Sequence, residues 1–294
     1  MRIDCIIITK FKNYGFKVHF VMYALIFRRN IIIKFLLLKR DEMIKLTKMN
    51  FSGIHKLTNV RNFSKIGELE KDYLNASFTF AYNMSFTEEG HHRRIRSGGE
   101  KSRRNAQIFC DTFNGKLGEF AVYQYFLSYG IVLDEPDVNI MGEGEWDNYD
   151  FELRGMKIGV KTTKSIGNLL LIETKDWNEK GQYIPNIKSG NSHYDYIILV
   201  RINTTVIQEM KKEKKYYNDE VTWEDLKSIV QKSLCGFDFA GYADREMLIK
   251  SINEGNIISQ GHYLQSKLTQ MDAENYYIQS GDLYDIGKLI ESIK

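Results

Sequence analysis

The sequence predicts an α/β or α+β fold, and three stretches predict it. Lys116–Tyr129 sets Leu117, Ala121, Tyr125 and Phe126 or Leu127 on one helical face and is followed by Gly130, a C-terminal stop. Asp147–Lys164 reads as two short strands joined by a tight turn at Arg154-Gly155. Tyr194–Ile202 is apolar over most of its length, which suits a strand buried on both faces and central in its sheet. Helix, strands and then further helices indicate a layered mixed core.

The totals narrow the function classes. At 294 residues the chain has room for one large domain or two small ones. A net charge of +3 neither requires nor forbids a polyanionic partner, so local clusters decide. With only 2 prolines, long Pro-rich linkers are excluded. Cys5, Cys110 and Cys235 lie far apart with no Cys-x-x-Cys pair, which speaks against a zinc site or a disulfide framework and for a reduced, cytoplasmic protein. The Gly-x-x-x-x-Gly-Lys-Ser/Thr, Gly-x-Gly-x-x-Gly, His-Glu-x-x-His and Gly-x-Ser-x-Gly signatures are all missing.

Residues 1–48 differ in composition from the rest. Two apolar runs, Val18–Phe27 and Ile31–Leu38, are separated by Arg28, Arg29 and Asn30. Each is shorter than the ~20 residues a spanning helix needs. Three readings stand: a poorly ordered leader upstream of a start at Met43 or Met49, a membrane-surface anchor, or a basic arm. No stable membrane association is expected. Residues 49–113 form an expected N-terminal arm, with a helix over Glu68–Tyr82. Within it His91–Arg104 is the densest basic cluster, and Arg93, Arg94, Arg96, Lys101, Arg103 and Arg104 are candidate phosphate contacts.

Residues 114–294 are the expected core with a C-terminal extension. After the Lys116–Tyr129 helix come extended pieces at Ile131–Leu133 and Asp137–Ile140, then the Asp147–Lys164 hairpin. A strand follows at Leu169–Glu173, a polar loop at Trp177–Ser192, and the central strand. Lys211–Lys215 reads as a solvated turn. Thr222 caps a helix through Leu234, a second helix runs from Asp244 to Glu254, Ile257–Leu264 is a strand and Asp282–Ile293 a closing helix.

Within the hairpin, alternation puts Asp150 and Glu152 on one face of the first strand, and Gly159, Lys161 and Thr163 on one face of the second. Phosphodiester hydrolysis needs a metal that stabilises developing charge and sharpens a water nucleophile. Mg²⁺ keeps most of its waters and takes one or two carboxylates, and a neighbouring lysine holds the attacking water or offsets phosphate charge. Asp150 and Lys161 meet these needs, with Glu119 on the helix as an outer carboxylate. The plainer reading is a cross-strand ion pair worth under ~1 kcal/mol, with Glu119 a surface acid favoured by the helix dipole.

The run Gly115-Lys116-Leu117-Gly118-Glu119, then Tyr149-Asp150-Phe151-Glu152-Leu153, Val160-Lys161-Thr162-Thr163 and Tyr194–Arg201, resembles the PD-(D/E)xK nuclease superfamily, and within it the type II restriction endonucleases. The resemblance covers about 114–202. It implies a restriction-endonuclease-like core, a central mixed sheet flanked by helices, with Mg²⁺-dependent, sequence-specific cleavage of double-stranded DNA, usually by a homodimer. By the motif, Asp150 and Glu119 are metal ligands together with the Val160 backbone carbonyl, and Lys161 is the catalytic lysine. Thr222–Lys294 would serve DNA reading or dimer contacts, where Gln260, His262, Gln265 and Lys267 are suitable types. The chain departs from the motif at Gly159, where an acid is expected. Either activity is reduced or lost, or Glu152 or Glu173 has taken over the role. A non-catalytic DNA-binding protein on the same fold is the alternative.

Overall fold

The computed structural model describes residues 43–49, 53–88, 102–140, 149–264 and 269–294. Arg93, Arg94, Arg96 and Lys101 of the basic cluster lie outside the described residues, as do residues 1–42 of the leader. Ile44–Lys294 forms one compact unit. In chain order it begins with β1 (Thr47–Met49), β2 (Ile54–Lys56), β3 (Gly67–Glu68), α1 (Lys71–Phe86) and α2 (Asn105–Ser128). Then come β4 (Phe151–Leu153), β5 (Met156–Lys164), β6 (Leu169–Glu173), β7 (Tyr196–Asn203), α3 (Val206–Lys212) and α4 (Trp223–Gln231). The last elements are β8 (Gly236–Asp244), α5 (Arg245–Asn253), β9 (Ile257–Ile258), β10 (Tyr263–Leu264), β11 (Thr269–Gln270), β12 (Asn275–Gln279) and α6 (Ile286–Ile293).

The fold is mixed α+β, as the element order predicts. Its main sheet has the order β3-β8-β7-β5-β4. β5 and β7 run parallel and the other neighbours antiparallel. β7 sits at the centre with Ile197–Ile202 all buried, in keeping with the apolar run Ile197–Val200. Two smaller sheets, β6-β12-β9 and β1-β2-β10-β11, complete the unit.

α2 starts well before the expected Lys116, and the expected domain boundary at residue 114 falls inside it. The reason is that Ile108, Phe109, Cys110 and Phe113 extend the buried face by two turns. Its first turn is held from outside: the Asn105 N–H donates to Asp219 Oδ1 at 3.0 Å. Gly118 keeps the helix close to β5, since a Cβ there would lie 1.8 Å from Thr162 Oγ1. The extended pieces expected at Ile131–Leu133 and Asp137–Ile140 form no strand. Their side chains Ile131 and Leu133 are nevertheless buried against the helix core.

β8 has no counterpart among the expected strands, although eight of its nine residues are buried. Asp238 and Gly241 interrupt its apolar pattern. Asp238 is neutralised by a buried partner, and Gly241 (φ +138°) sits at a β-bulge opposite Leu199/Val200, where a Cβ would lie 2.5 Å from the Tyr284 carbonyl. The expected strand over Ile257–Leu264 is divided instead. Gly261 (φ 78°) turns the chain between β9 and β10, which belong to different sheets.

One polar knot ties the sheets together. Arg201 on β7 is fully buried. Its Nε and Nη2 donate to Asp238 at 2.8 and 2.7 Å, Nη1 to the Arg61 carbonyl and Asn168 Oδ1, and Nη2 also to the Asn62 carbonyl. All five guanidinium donors are used, the condition under which a buried charge is tolerated. Gln279 at the end of β12 is also buried; its side-chain oxygen accepts from the Thr58 and Asn59 amides. The extended segment 57–66 is thereby fastened across the seam between the two sheets.

Candidate active site

The Arg154-Gly155 turn forms as the sequence predicts, with φ of 52° and 80°. Two positive φ angles make the tight turn whose twist matches a hairpin. β4 then pairs with β5 in the register Phe151↔Ile158, Glu152↔Lys157. Asp150 lies just beyond β4, where the backbone ladder stops. Its Oδ2 accepts the Val160 N–H at 2.6 Å, so the carboxylate continues the ladder in place of a backbone carbonyl. The N–H and C=O of one strand residue point to the same side. The Val160 carbonyl therefore faces the same edge as Asp150.

Lys161 is exposed, one residue further along β5. It shares a strand face with Gly159, while Thr162 faces α2. The space beside Gly159 is filled: a Cβ there would meet the Tyr194 ring at 3.0 and 3.1 Å. Tyr194 belongs to an aromatic cluster, with ring centroids 5.8 Å from Trp177 and 6.4 Å from Tyr183. Burial, then the nearby Asp150 charge, then Tyr183 raise its phenol pKa, keeping it protonated at neutral pH. The glycine is thus the residue that lets an aromatic ring lie against β5, at the position where the sequence resemblance leads one to expect an acid.

Glu119 is on α2, which covers the opposite face of β5 from Lys161. It accepts from Lys116 Nζ at 2.6 Å, and Lys116, itself buried, also donates to the Asp137 carbonyl at 2.7 Å. Glu152 is exposed and accepts from the Tyr149 hydroxyl. Glu173 lies on β6, in a different sheet from Asp150 and Lys161, with Lys175 Nζ at 3.5 Å; burial, then Asp176, raises its pKa. Among the described residues, no three His, Cys, Asp or Glu side chains assemble as a metal-ligand group. The structure brings Asp150, the Val160 carbonyl and Lys161 to one end of the hairpin, and leaves Glu119 and Glu173 on other elements.

The two described arginines of the basic cluster are paired. Arg103 Nη1 lies 2.8 Å from Asp111 Oδ2, and Arg104 Nη1 lies 2.6 Å from Asp219 Oδ2. They line an open cleft of about 630 Å³ with Gln107, Asp111, Tyr216 and Tyr217, to which Asp150, Lys161 and Glu119 contribute nothing.

Two residues of the hairpin end, Tyr194 and Asp195, are not among the candidate site residues of the sequence, which marks them only as the start of the strand. Asp195 clips that strand in place: its carboxylate accepts the Lys157 N–H at 2.7 Å while its own N–H donates to the Lys157 carbonyl at 2.8 Å. The signal that could mark Tyr194 is a large aromatic ahead of a buried strand, close in sequence to Trp177 and Tyr183. No family model, curated protein or solved structure matches this chain.

Proposed function

We propose that the chain is a Mg²⁺-dependent endonuclease of the restriction type, acting on double-stranded DNA inside the cell. One observation carries the reading: the Asp150 carboxylate is fixed on the Val160 amide at the open end of the hairpin, one residue before Lys161. Supporting it are the mixed main sheet, with β5 and β7 parallel, and α2 laid against both.

Asp150 and the Val160 carbonyl offer two oxygens on one edge, a donor set that suits Mg²⁺, which needs few protein ligands. Bound there, Mg²⁺ would offset charge on the phosphate and lower the pKa of a coordinated water. The remaining work falls to this chain. The Val160 N–H holds the Asp150 carboxylate oriented. Lys161 orients the attacking water and offsets charge as the water oxygen bonds to phosphorus and the ester P–O bond breaks. Glu119, held by Lys116, is an outer carboxylate on this reading.

The second reading, a DNA-binding protein that does not cut, is favoured by the Tyr194 ring over Gly159. Incubation of varied duplex DNA with Mg²⁺ or with EDTA separates the two. Cleavage into discrete fragments is expected with Mg²⁺ alone, and Lys161→Ala should lower it by about 10²-fold or more. Gly159→Asp combined with Tyr194→Ala, which vacates the space for a carboxylate, should raise it. Retained DNA binding with no cleavage by either the native chain or the double variant would establish the second reading.

A further inference from the structure

The sheet β1-β2-β10-β11 shares no strand with the hairpin site, and one of its faces collects donors of one kind. Lys48 opposes His55 across β1 and β2, and His55 opposes Leu264 across β2 and β10. Continued by one residue, the parallel register sets Gly53 beside His262; the Tyr263 N–H donates to the Gly53 carbonyl at 2.8 Å, as that register requires. On the other side of His262, the Met271 N–H donates to the His262 carbonyl at 2.8 Å, which makes Met271 its cross-strand neighbour. Side chains alternate along a strand and cross-strand neighbours share a face. His55, His262, Leu264 and Met271 therefore lie on one face, where Met271 and Leu264 pack with the buried Leu46, Ile258 and Tyr277.

His55 is buried and His262 half-buried, and their ring nitrogens converge: His55 Nε2 lies 3.0 Å from His262 Nδ1. Gly53 makes room for the second ring, since a Cβ there would lie 3.0 Å from it. A single shared hydrogen accounts for the contact in the metal-free chain. Two nitrogens on one metal ion, each at about 2.0–2.1 Å, stand about 3.3 Å apart at a tetrahedral angle, so the pair needs to open only slightly. Burial, then His262, then Lys48 hold the His55 pKa low, so that ring is uncharged at neutral pH. β1, β2, β10 and β11 contain no Asp or Glu. The donors of this face are thus neutral: two imidazoles, and a thioether on the flexible stem of Met271. Under an apolar cover with no carboxylate, a divalent ion would keep its charge unbalanced, and Lys48 would repel it twice as strongly as a monovalent one. Thioether and imidazole together favour Cu⁺.

We propose that His55, His262 and Met271 form a Cu⁺ site that closes β2 onto β10 and β11. The ion enters as Cu⁺ and no electron is transferred. His55 binds through Nε2 and His262 through Nδ1, so the proton between them moves to the outer nitrogen of the ring that carried it. The inference stands apart from the nuclease reading.

The test is anaerobic competition of the full chain with Cu⁺ held by bicinchoninate, whose colour falls as the protein takes the ion. All proteins carry Cys5→Ser, because a thiol binds Cu⁺ by itself; Cys110 and Cys235 are buried. The native site should remove one Cu⁺ per chain and raise the thermal midpoint, as a ligand of the folded state does. His55→Gln and His262→Gln should each abolish the transfer. Met271→Leu, which keeps the apolar bulk, should weaken it, and X-ray absorption should show one sulfur and two nitrogens on copper in the native chain only. Circular dichroism of the metal-free variants establishes that they fold. No transfer to the native chain, transfer that persists in both histidine variants, or copper without a sulfur neighbour would overturn the proposal. Zn²⁺ that displaces Cu⁺ at equal concentration would do so too, since a neutral soft donor set prefers the monovalent ion.

Discussion

Arg201 carries a full charge into the core, where an unpaired ion would cost several kcal/mol, and only complete pairing makes that tolerable. Asp238→Asn keeps the shape but strips the counter-charge. It should cost about 3–5 kcal/mol in urea unfolding. Arg201→Met with Asp238→Leu should cost less than Asp238→Asn alone, because no charge is left stranded. The sequence places Arg201 at the end of an apolar strand without showing its partner, since the matching acid lies 37 residues on, in a stretch whose apolar pattern is broken. The candidate site divides in a similar way. Asp150 and Lys161 are legible because they share a hairpin whose turn is written in Arg154-Gly155. The Tyr194 ring over Gly159 is not, because that contact crosses between strands and depends on the path of the 174–195 loop.

At the scale of elements, the packing of α2 on β5 depends on one position. A methyl at Gly118 would lie 1.8 Å from Thr162 Oγ1 and 2.9 Å from its Cβ. Gly118→Ala should therefore force the helix outward and destabilise the protein by about 1–3 kcal/mol, the usual cost of overpacking. Thr162→Ala in the same chain should restore part of that stability, and denaturant midpoints of the single and double variants measure the coupling. Periodicity locates the middle of α2 but not its start. Asn114-Gly115 resembles a helix boundary locally, whereas the true N-terminus is capped by Asp219, more than a hundred residues away in sequence. β8 is hidden for the converse reason. Its glycine and aspartate are accepted because the bulge and Arg201 accommodate them.

At the scale of the molecule, the β1–β2 hairpin is joined to β10 through a pair of histidines. His55 Nε2 lies 3.0 Å from His262 Nδ1, and Lys48 is the facing charge on β1. Burial, then His262, then Lys48 hold the His55 pKa below its ordinary value near 6.5. The unfolded chain therefore binds this proton more tightly than the folded one. The pair's contribution is whole above about pH 6.5 and declines as pH falls through that value toward the lower folded pKa. Thermal midpoints measured from about pH 8 to pH 5 should drop at the acid end, and His55→Gln should flatten that drop.

The same long connections set an order of events during synthesis. The amide of Arg61 is satisfied by the Ser280 hydroxyl, 219 residues later, and Thr58 and Asn59 wait for Gln279. At roughly 5–20 residues per second, that interval is about 10–40 s. Arg201 and Asp238, which hold the Arg61 and Asn62 carbonyls and the Ser64 amide, are made earlier, but until the last part of the chain leaves the ribosome the amides of Thr58, Asn59 and Arg61 lack Gln279 and Ser280. The nascent chain must therefore keep the extended segment 57–61 out of non-native pairings for most of its translation. A co-translational chaperone requirement, absent when chains refold from urea at high dilution, is the expected cellular consequence.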